Sequence, residues 1–225
     1  MKRVAIIGSG ISGLTCAHLL HKKYDIELFE AGNYLGGHTA TKEFVVAGRS
    51  WHIDTGFIVF NDRTYPNFEK LLQRISIGRL ATQMSFSVRN PQSGLEYSGS
   101  NLNTLFAQRR NLFNLNFLKL IKEILRFNQR CIQAWENKHI DKEMSLGDFL
   151  DQQGFSCYFA EHYILPMGAA IWSSSLQDMR AFPLYFFVRF FHHHGLLTVH
   201  NRPQWYVIPH GSSSYVKPLC RGFEN

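Results

Sequence analysis

The feature that most constrains this chain lies within its first thirty residues. Val4-Ala5-Ile6-Ile7 is a short apolar run without alternation, as a parallel strand covered on both faces requires. It passes straight into Gly8-Ser9-Gly10-Ile11-Ser12-Gly13, a G-x-G-x-x-G loop. Leu14, Ala17, Leu19 and Leu20 then form the apolar face of a helix that ends near Lys22-Lys23. Asp25-Ile26-Glu27-Leu28-Phe29-Glu30 reads as a second strand closing on an acid. That order specifies a βαβ unit, and with it an α/β chain containing a Rossmann-like domain with a parallel sheet.

Each residue type in the loop has a physical role. Gly8 permits the tight turn, Gly10 lets the backbone approach a pyrophosphate, and Gly13 lets helix and strand pack closely. Ser12 stands at the helix start, where free N–H groups and the positive end of the helix dipole attract phosphate. Glu30 accepts hydrogen bonds from ribose hydroxyls in such a site, and its charge disfavours a 2′-phosphate. In this strand-turn-helix context the motif predicts dinucleotide binding, with an ordinary glycine-rich turn as the plain alternative.

A second glycine turn follows. Ala31-Gly32-Asn33-Tyr34-Leu35-Gly36-Gly37-His38-Thr39-Ala40-Thr41 places Gly36 and Gly37 shortly after the acid. From Val4 to Thr41 the chain resembles the FAD-binding N-terminus of the flavin amine oxidase, phytoene desaturase and protoporphyrinogen oxidase superfamily. Those proteins follow the ribose Glu with G-G-R-x-x-[ST]. The resemblance implies FAD as cofactor, held by Gly8, Gly10, Ser12, Gly13, Glu30 and Ala31, with Gly36, Gly37, His38 and Thr39 toward the flavin. His38 stands where that pattern has Arg, so a titratable ring replaces a permanent cation. Trp51-His52-Ile53-Asp54-Thr55-Gly56-Phe57-Ile58-Val59-Phe60 resembles the superfamily's D-x-G segment, implying Asp54, Thr55 and Gly56 beside the isoalloxazine ring. Together with Gly94-Leu95-Glu96-Tyr97-Ser98-Gly99 and Leu165-Pro166-Met167-Gly168-Ala169-Ala170-Ile171-Trp172, these stretches resemble a bacterial, amine-oxidase-like branch of FAD-dependent proteins. Members of that branch are expected to continue well past residue 225. A truncated or split member, or a partner segment completing the flavin site, is therefore expected.

The middle of the chain reads differently. Met84–Arg89 and Leu95–Ser98 alternate around the turn Asn90-Pro91-Gln92-Ser93-Gly94, which predicts a hairpin. From about Leu102 to Trp135 the spacing turns helical, with Leu112, Leu115, Leu118, Ile121, Ile124, Leu125 and Phe127 as the apolar set. Arg109, Arg110, Lys119, Lys122, Arg126 and Arg130 are interspersed. Such a region is either packed on a core or laid on an anionic membrane. Ser145 caps a further helix, and His162 to Trp172 reads as an apolar helix kinked or interrupted at Pro166. Phe182 to Phe191 is the most aromatic window, either a buried helix or the wall of a cavity for a long apolar substrate. His192-His193-His194 cannot converge on one ion, because helical neighbours point about 100° apart, and His162, His200 and His210 would join one of them only by coincidence of folding. No metal site is expected. Gln204–Ile208 reads as a strand, and Pro209-His210-Gly211-Ser212 as a turn into a helix. The superfamily often has a Gly-Gly pair at this return, and His210 takes one of the two places.

The chain has 225 residues, which permits domains at 1–78, 79–200 and 201–225. These correspond to the N-terminal part of the FAD-binding domain, an inserted and mainly helical substrate region with a small antiparallel element, and the start of a return. Twenty-four Lys and Arg against 17 Asp and Glu give a net charge of +7, which favours an acidic partner or surface. Nineteen Phe argue against a plain nucleic-acid binder. Cys16, Cys131, Cys157 and Cys220 form no C-x-x-C pair, and no run of apolar residues is long enough to span a bilayer. A cytoplasmic protein, peripheral at most to the inner face of a membrane, is expected. The resemblance implies an FAD-dependent oxidoreductase removing hydride from an apolar, lipid-like or amine substrate, and the aromatic window tilts this toward lipid. An NAD(P)-binding dehydrogenase and a noncatalytic flavin-fold protein are the alternatives. No catalytic base is identified.

Overall fold

Strand β1 (Arg3–Ile7) and helix α1 (Ile11–Leu20) flank the glycine loop in the structure, a computed structural model that describes residues 1–198 and 202–223. The expected boundary at 200/201, His200 and the last two residues, Glu224 and Asn225, lie outside the described residues. The chain then forms β2 (Asp25–Phe29), β3 (Thr41–Val46), β4 (Arg49–Asp54), β5 (Phe60–Asn61), α2 (Pro66–Arg74) and β6 (Leu80–Thr82). A second hairpin follows, β7 (Ser87–Asn90) and β8 (Leu95–Ser98). Helices α3 (Leu102–Leu105), α4 (Leu115–Glu136), α5 (Leu146–Gln152), α6 (Cys157–Phe159), α7 (Leu165–Trp172), α8 (Leu176–Arg180) and α9 (Leu184–His193) come next. Strand β9 (Trp205–Val207) and helix α10 (Val216–Cys220) complete the described chain.

Residues 1–84 and 203 onward form one compact unit, and residues 85–202 a second. In the first unit β1 and β2 pair in parallel, Ile6 opposite Leu28. The expected parallel sheet is therefore Rossmann-like but amounts to two strands among the described residues. Strands β3 and β4 do not extend it. Ala47 (φ 51°) and Gly48 (φ 73°) both adopt the left-handed region, so the chain reverses in two residues and β3 pairs antiparallel with β4. Strand β9 runs between β5 and β6, antiparallel to both, which keeps residues 80–82 with this unit. Leu14, Phe60, Leu72, Ile75, Ile208, Tyr215, Leu219 and Cys220 make its core.

The second unit is mainly helical and contains the expected hairpin, β7 with β8, in which Ser87 lies opposite Ser98. The stretch expected to be helical from 102 to 135 is broken. Residues Arg109–Phe113 form a 3-10 turn, and the Asn114 side chain accepts from the Asn116 and Phe117 N–H groups, restarting the helix at Leu115. Phe117, Leu120, Phe127 and Cys131 are buried, whereas Leu112, Leu115, Leu118 and Leu125 of the expected apolar set are exposed. Ser145 caps α5 as expected, in a reciprocal box with Asp148. Residues Ala160–Ile164 form a π-helical segment between α6 and α7. Pro166 sits in the first turn of α7, where its missing N–H falls after the widened turn and ends no helix. Phe187, Val188 and Phe191 of α9 are fully buried, and Trp172 packs against Phe182, Phe187, Phe190 and Phe191 at centroid distances of 4.6–6.4 Å.

Candidate functional site

Helix α1 begins without a side-chain cap. Gly10 has none to offer, and the first turn carries no acid. The first N–H drawn back into the helix is that of Leu14, which donates to the Gly10 carbonyl (3.0 Å). The N–H groups of Ile11, Ser12 and Gly13 are thus left at the positive end of the helix dipole. They border a cavity of 630 Å³ inside the first unit.

Gly8, Gly10, Ser12 and Gly13 line that cavity from the first glycine turn, and Gly36, Gly37, His38 and Thr39 line it from the second. The two turns touch. The Gly36 N–H donates to the Ser9 carbonyl (2.9 Å), and a Cβ on Gly37 would come 3.1 Å from Gly10 Cα. Gly36 and Gly37 both have positive φ, 112° and 58°. The second glycine pair is therefore needed both for its turn and for its close approach to the first. A Cβ on Gly13 would fall on the Gly8 carbonyl oxygen and near Ile6, which is the helix–strand contact the third glycine of the motif permits.

Glu30 lies at the back of the loop, outside the cavity lining. Its Oε2 accepts from the Ser9 N–H (2.8 Å) and the Ser9 hydroxyl (2.5 Å), and its Oε1 from the Gly32 N–H (2.7 Å). The Ser9 hydroxyl, then the Gly32 and Ser9 amides, hold this carboxyl at about 2, so it is ionised throughout the physiological range. The Ala31 amide acts in the same direction, and Glu30 is exposed, so a ribose hydroxyl can reach it. Ala31 is exposed in the bend that follows.

Asp54, Thr55 and Gly56 also lie outside the cavity lining, and their contacts explain why. Asp54 Oδ1 accepts from the Thr41 hydroxyl (2.6 Å), the Ser212 N–H (2.8 Å) and the Ser212 hydroxyl (2.9 Å). It thereby ties the end of β4 to the start of β3 and to the returning chain. The Thr55 N–H and hydroxyl both donate to the Ala40 carbonyl (2.9 and 3.0 Å). Gly56 is pressed so closely on the His38 carbonyl that no Cβ fits. Residues 54–56 therefore position the second glycine turn, and they deliver Phe57, which does line the cavity.

Phe57, Tyr65, Phe68 and Tyr215 form the apolar wall. Phe57 and Phe68 meet edge to face at 5.2 Å, and Phe68 meets Tyr215 at 5.6 Å. Tyr215 and Thr39 share a hydrogen bond of 2.5 Å between hydroxyls, and burial pushes the Tyr215 phenol up. Phe57 lies within a stretch that the sequence marks. Tyr215 stands far along the chain, and nothing local signals it. His210 holds φ 64° immediately before Gly211, the backbone region a glycine would occupy without strain.

The histidine triplet is occupied by packing. The His192 ring stacks on Trp135 at 5.3 Å and the His194 ring on Phe190 at 3.9 Å. Burial pushes both imidazoles below their ordinary value. Among the described residues no three His, Cys, Asp or Glu side chains gather as a metal site. Nor is any described helix long and apolar enough to cross a membrane.

Residues 6–75 match the model of the NAD(P)-binding Rossmann-like domain family. The fold of the chain is similar to that of part of putrescine oxidase. A variant of that enzyme with redesigned cofactor binding matches with a TM-score of 0.63 at 15% identity, covering 100% of this chain and 49% of the other. Wild-type putrescine oxidase bound to putrescine matches with a TM-score of 0.58 at 16% identity, covering 97% and 48%. The chain thus spans about half the length of these structures. No curated protein matches the sequence.

Proposed function

We propose that the first unit binds FAD and that the chain serves an oxidoreductase taking hydride from an amine or an apolar substrate. One observation carries this reading: the uncapped start of α1 borders a cavity shared by both glycine turns, with ionised Glu30 behind them. In the proposed complex the pyrophosphate lies against the N–H groups of Ile11, Ser12 and Gly13, with Gly10 leaving room for it. Glu30 takes a ribose hydroxyl. Gly36, Gly37, His38 and Thr39 border the path toward the flavin, and Phe57, Tyr65 and Phe68 offer apolar surface to a flat ring. FAD, when bound, supplies the hydride acceptor. Asp54, Thr55 and Gly56 serve by positioning.

The aromatic window no longer favours a lipid-like substrate, because its most buried members fill the core of the second unit. The likeness to a structure bound to putrescine supports an amine. No residue is assigned as a catalytic base.

The test titrates the full chain with FAD, NAD⁺ and NADP⁺ separately, following flavin absorption and fluorescence and nicotinamide binding. FAD binding, followed by anaerobic bleaching with an aliphatic diamine, is the expected result. Binding of a nicotinamide dinucleotide and not of FAD would overturn this reading in favour of an NAD(P)-binding dehydrogenase, in keeping with the NAD(P)-binding Rossmann-like match over residues 6–75. Bound FAD that no amine bleaches would leave a noncatalytic flavin-fold protein.

A further inference from the structure

Residues 97–122 contain four cations, Arg109, Arg110, Lys119 and Lys122, and no carboxylate. Among the described ion pairs none includes any of the four. Arg109 Nη1 donates to the Phe106 carbonyl (2.9 Å) and Arg110 Nη2 to the Gly94 carbonyl (3.0 Å), both neutral acceptors, so their charge is not cancelled locally. The same stretch exposes Leu102, Leu112, Phe113, Leu115 and Leu118, with Phe113 at 88% and Leu115 at 80%. On α4 the residues Leu115, Leu118, Lys122 and Leu125 fall within one narrow arc at about 100° per residue, with Lys119 beside them. This arc lies opposite the stripe of Phe117, Leu120, Phe127 and Cys131 that packs into the core. A solvated helix face carries charge without a row of leucines, and a second core face carries leucines without unpaired lysines.

We propose that the 3-10 turn and the first half of α4 form a docking surface for an anionic membrane. Phe113, Leu115 and Leu118 enter the boundary between headgroups and acyl chains. Arg109, Arg110, Lys119 and Lys122 stay at headgroup level, with the lysine stems lying along the apolar side chains. A nucleic acid would use the cations and leave Phe113 and Leu115 without a role. A second copy of the chain docking on this face would set like charge against like charge. This surface is independent of the FAD cavity, so the two proposals stand or fall separately.

The test measures co-sedimentation of the full chain with vesicles of phosphatidylcholine alone or mixed with phosphatidylserine. Expected are binding to the phosphatidylserine vesicles, weakening as salt is raised, and little binding to phosphatidylcholine alone. Phe113→Ser with Leu115→Ser, and separately Lys119→Gln with Lys122→Gln, should each weaken it roughly tenfold or more. All four side chains face solvent, so both variants should keep the wild-type melting temperature and FAD affinity. Failure to bind any vesicle, or vesicle binding unchanged in the Phe113/Leu115 variant, would overturn the proposal. So would variants that instead abolish self-association or binding to duplex DNA.

Discussion

Two glycines of the first turn separate stability from ligand binding. A methyl group on Gly13 collides with the Gly8 carbonyl, so Gly13→Ala must push α1 off β1, an overpacking cost of about 1–3 kcal/mol. A methyl on Gly10 meets nothing within 4 Å, and Gly10 has φ −65°, which alanine adopts freely. Gly10→Ala should therefore melt like the wild type yet lose the dinucleotide, because the methyl occupies the space a pyrophosphate needs. Thermal melts and FAD titrations of the two variants check this, and a Gly10→Ala variant with wild-type FAD affinity would remove Gly10 from the site. Glu30 gives a pH prediction. Its folded value of about 2 lies below the ordinary 4.5, so its contribution to stability is complete above about 4.5 and is lost as pH falls toward 2. The carboxyl carbon of Glu30 should titrate by NMR with a midpoint near 2. Glu30→Gln should weaken FAD binding roughly tenfold at neutral pH while relaxing any exclusion of NADP⁺, since the repelling charge is gone.

At the level of elements, the local code was legible wherever turn and cap residues decide. The β7–β8 hairpin follows from its Asn-Pro-Gln-Ser-Gly turn, α5 from Ser145, and the βαβ start from its glycines. The orientation of α4 was not. On α4 the leucines at 115, 118 and 125 have helical spacing, but so do Phe117, Leu120 and Cys131 with Phe127, which the expected set did include, and periodicity alone cannot rank two apolar stripes on one helix. Packing decides: Phe117, Leu120, Phe127 and Cys131 join the core cluster of the second unit, and Asn114 sets only where the helix begins. The contact between Thr39 and Tyr215 was equally invisible, because it depends on β9 pairing with β5 and β6. The aromatic helix gives a quantitative check on the packing. Phe187→Ala removes a ring buried against Phe127, Trp172 and Phe191 and should cost about 3–5 kcal/mol in urea unfolding. Leu125→Ser, on the outward face of α4, should change stability by less than about 0.5 kcal/mol. Equal losses in the two would mean that the outward stripe is buried in solution.

Across the whole molecule the two units differ in how much core they have. Among the described residues the second unit buries twenty-one apolar side chains in one cluster and the first unit eight. The first unit also leaves apolar strand residues such as Ile7 and Val45 exposed. Apolar burial is the dominant favourable contribution to folding, so the first unit should be the less stable of the two. The second unit is one continuous segment with its own core, and residues 85–202 expressed alone should fold cooperatively. Calorimetry of the full chain should then show two transitions, the higher one coinciding with that of the 85–202 segment. A ligand that binds only the folded first unit raises that unit's stability by about 2.7 kcal/mol at a concentration one hundred times its Kd. FAD should therefore move the lower transition upward and leave the upper one in place, because every residue lining the cavity belongs to the first unit. A shift of the upper transition, or of both together, would mean that the second unit takes part in holding the dinucleotide. A shift of neither would show that the cavity does not bind it.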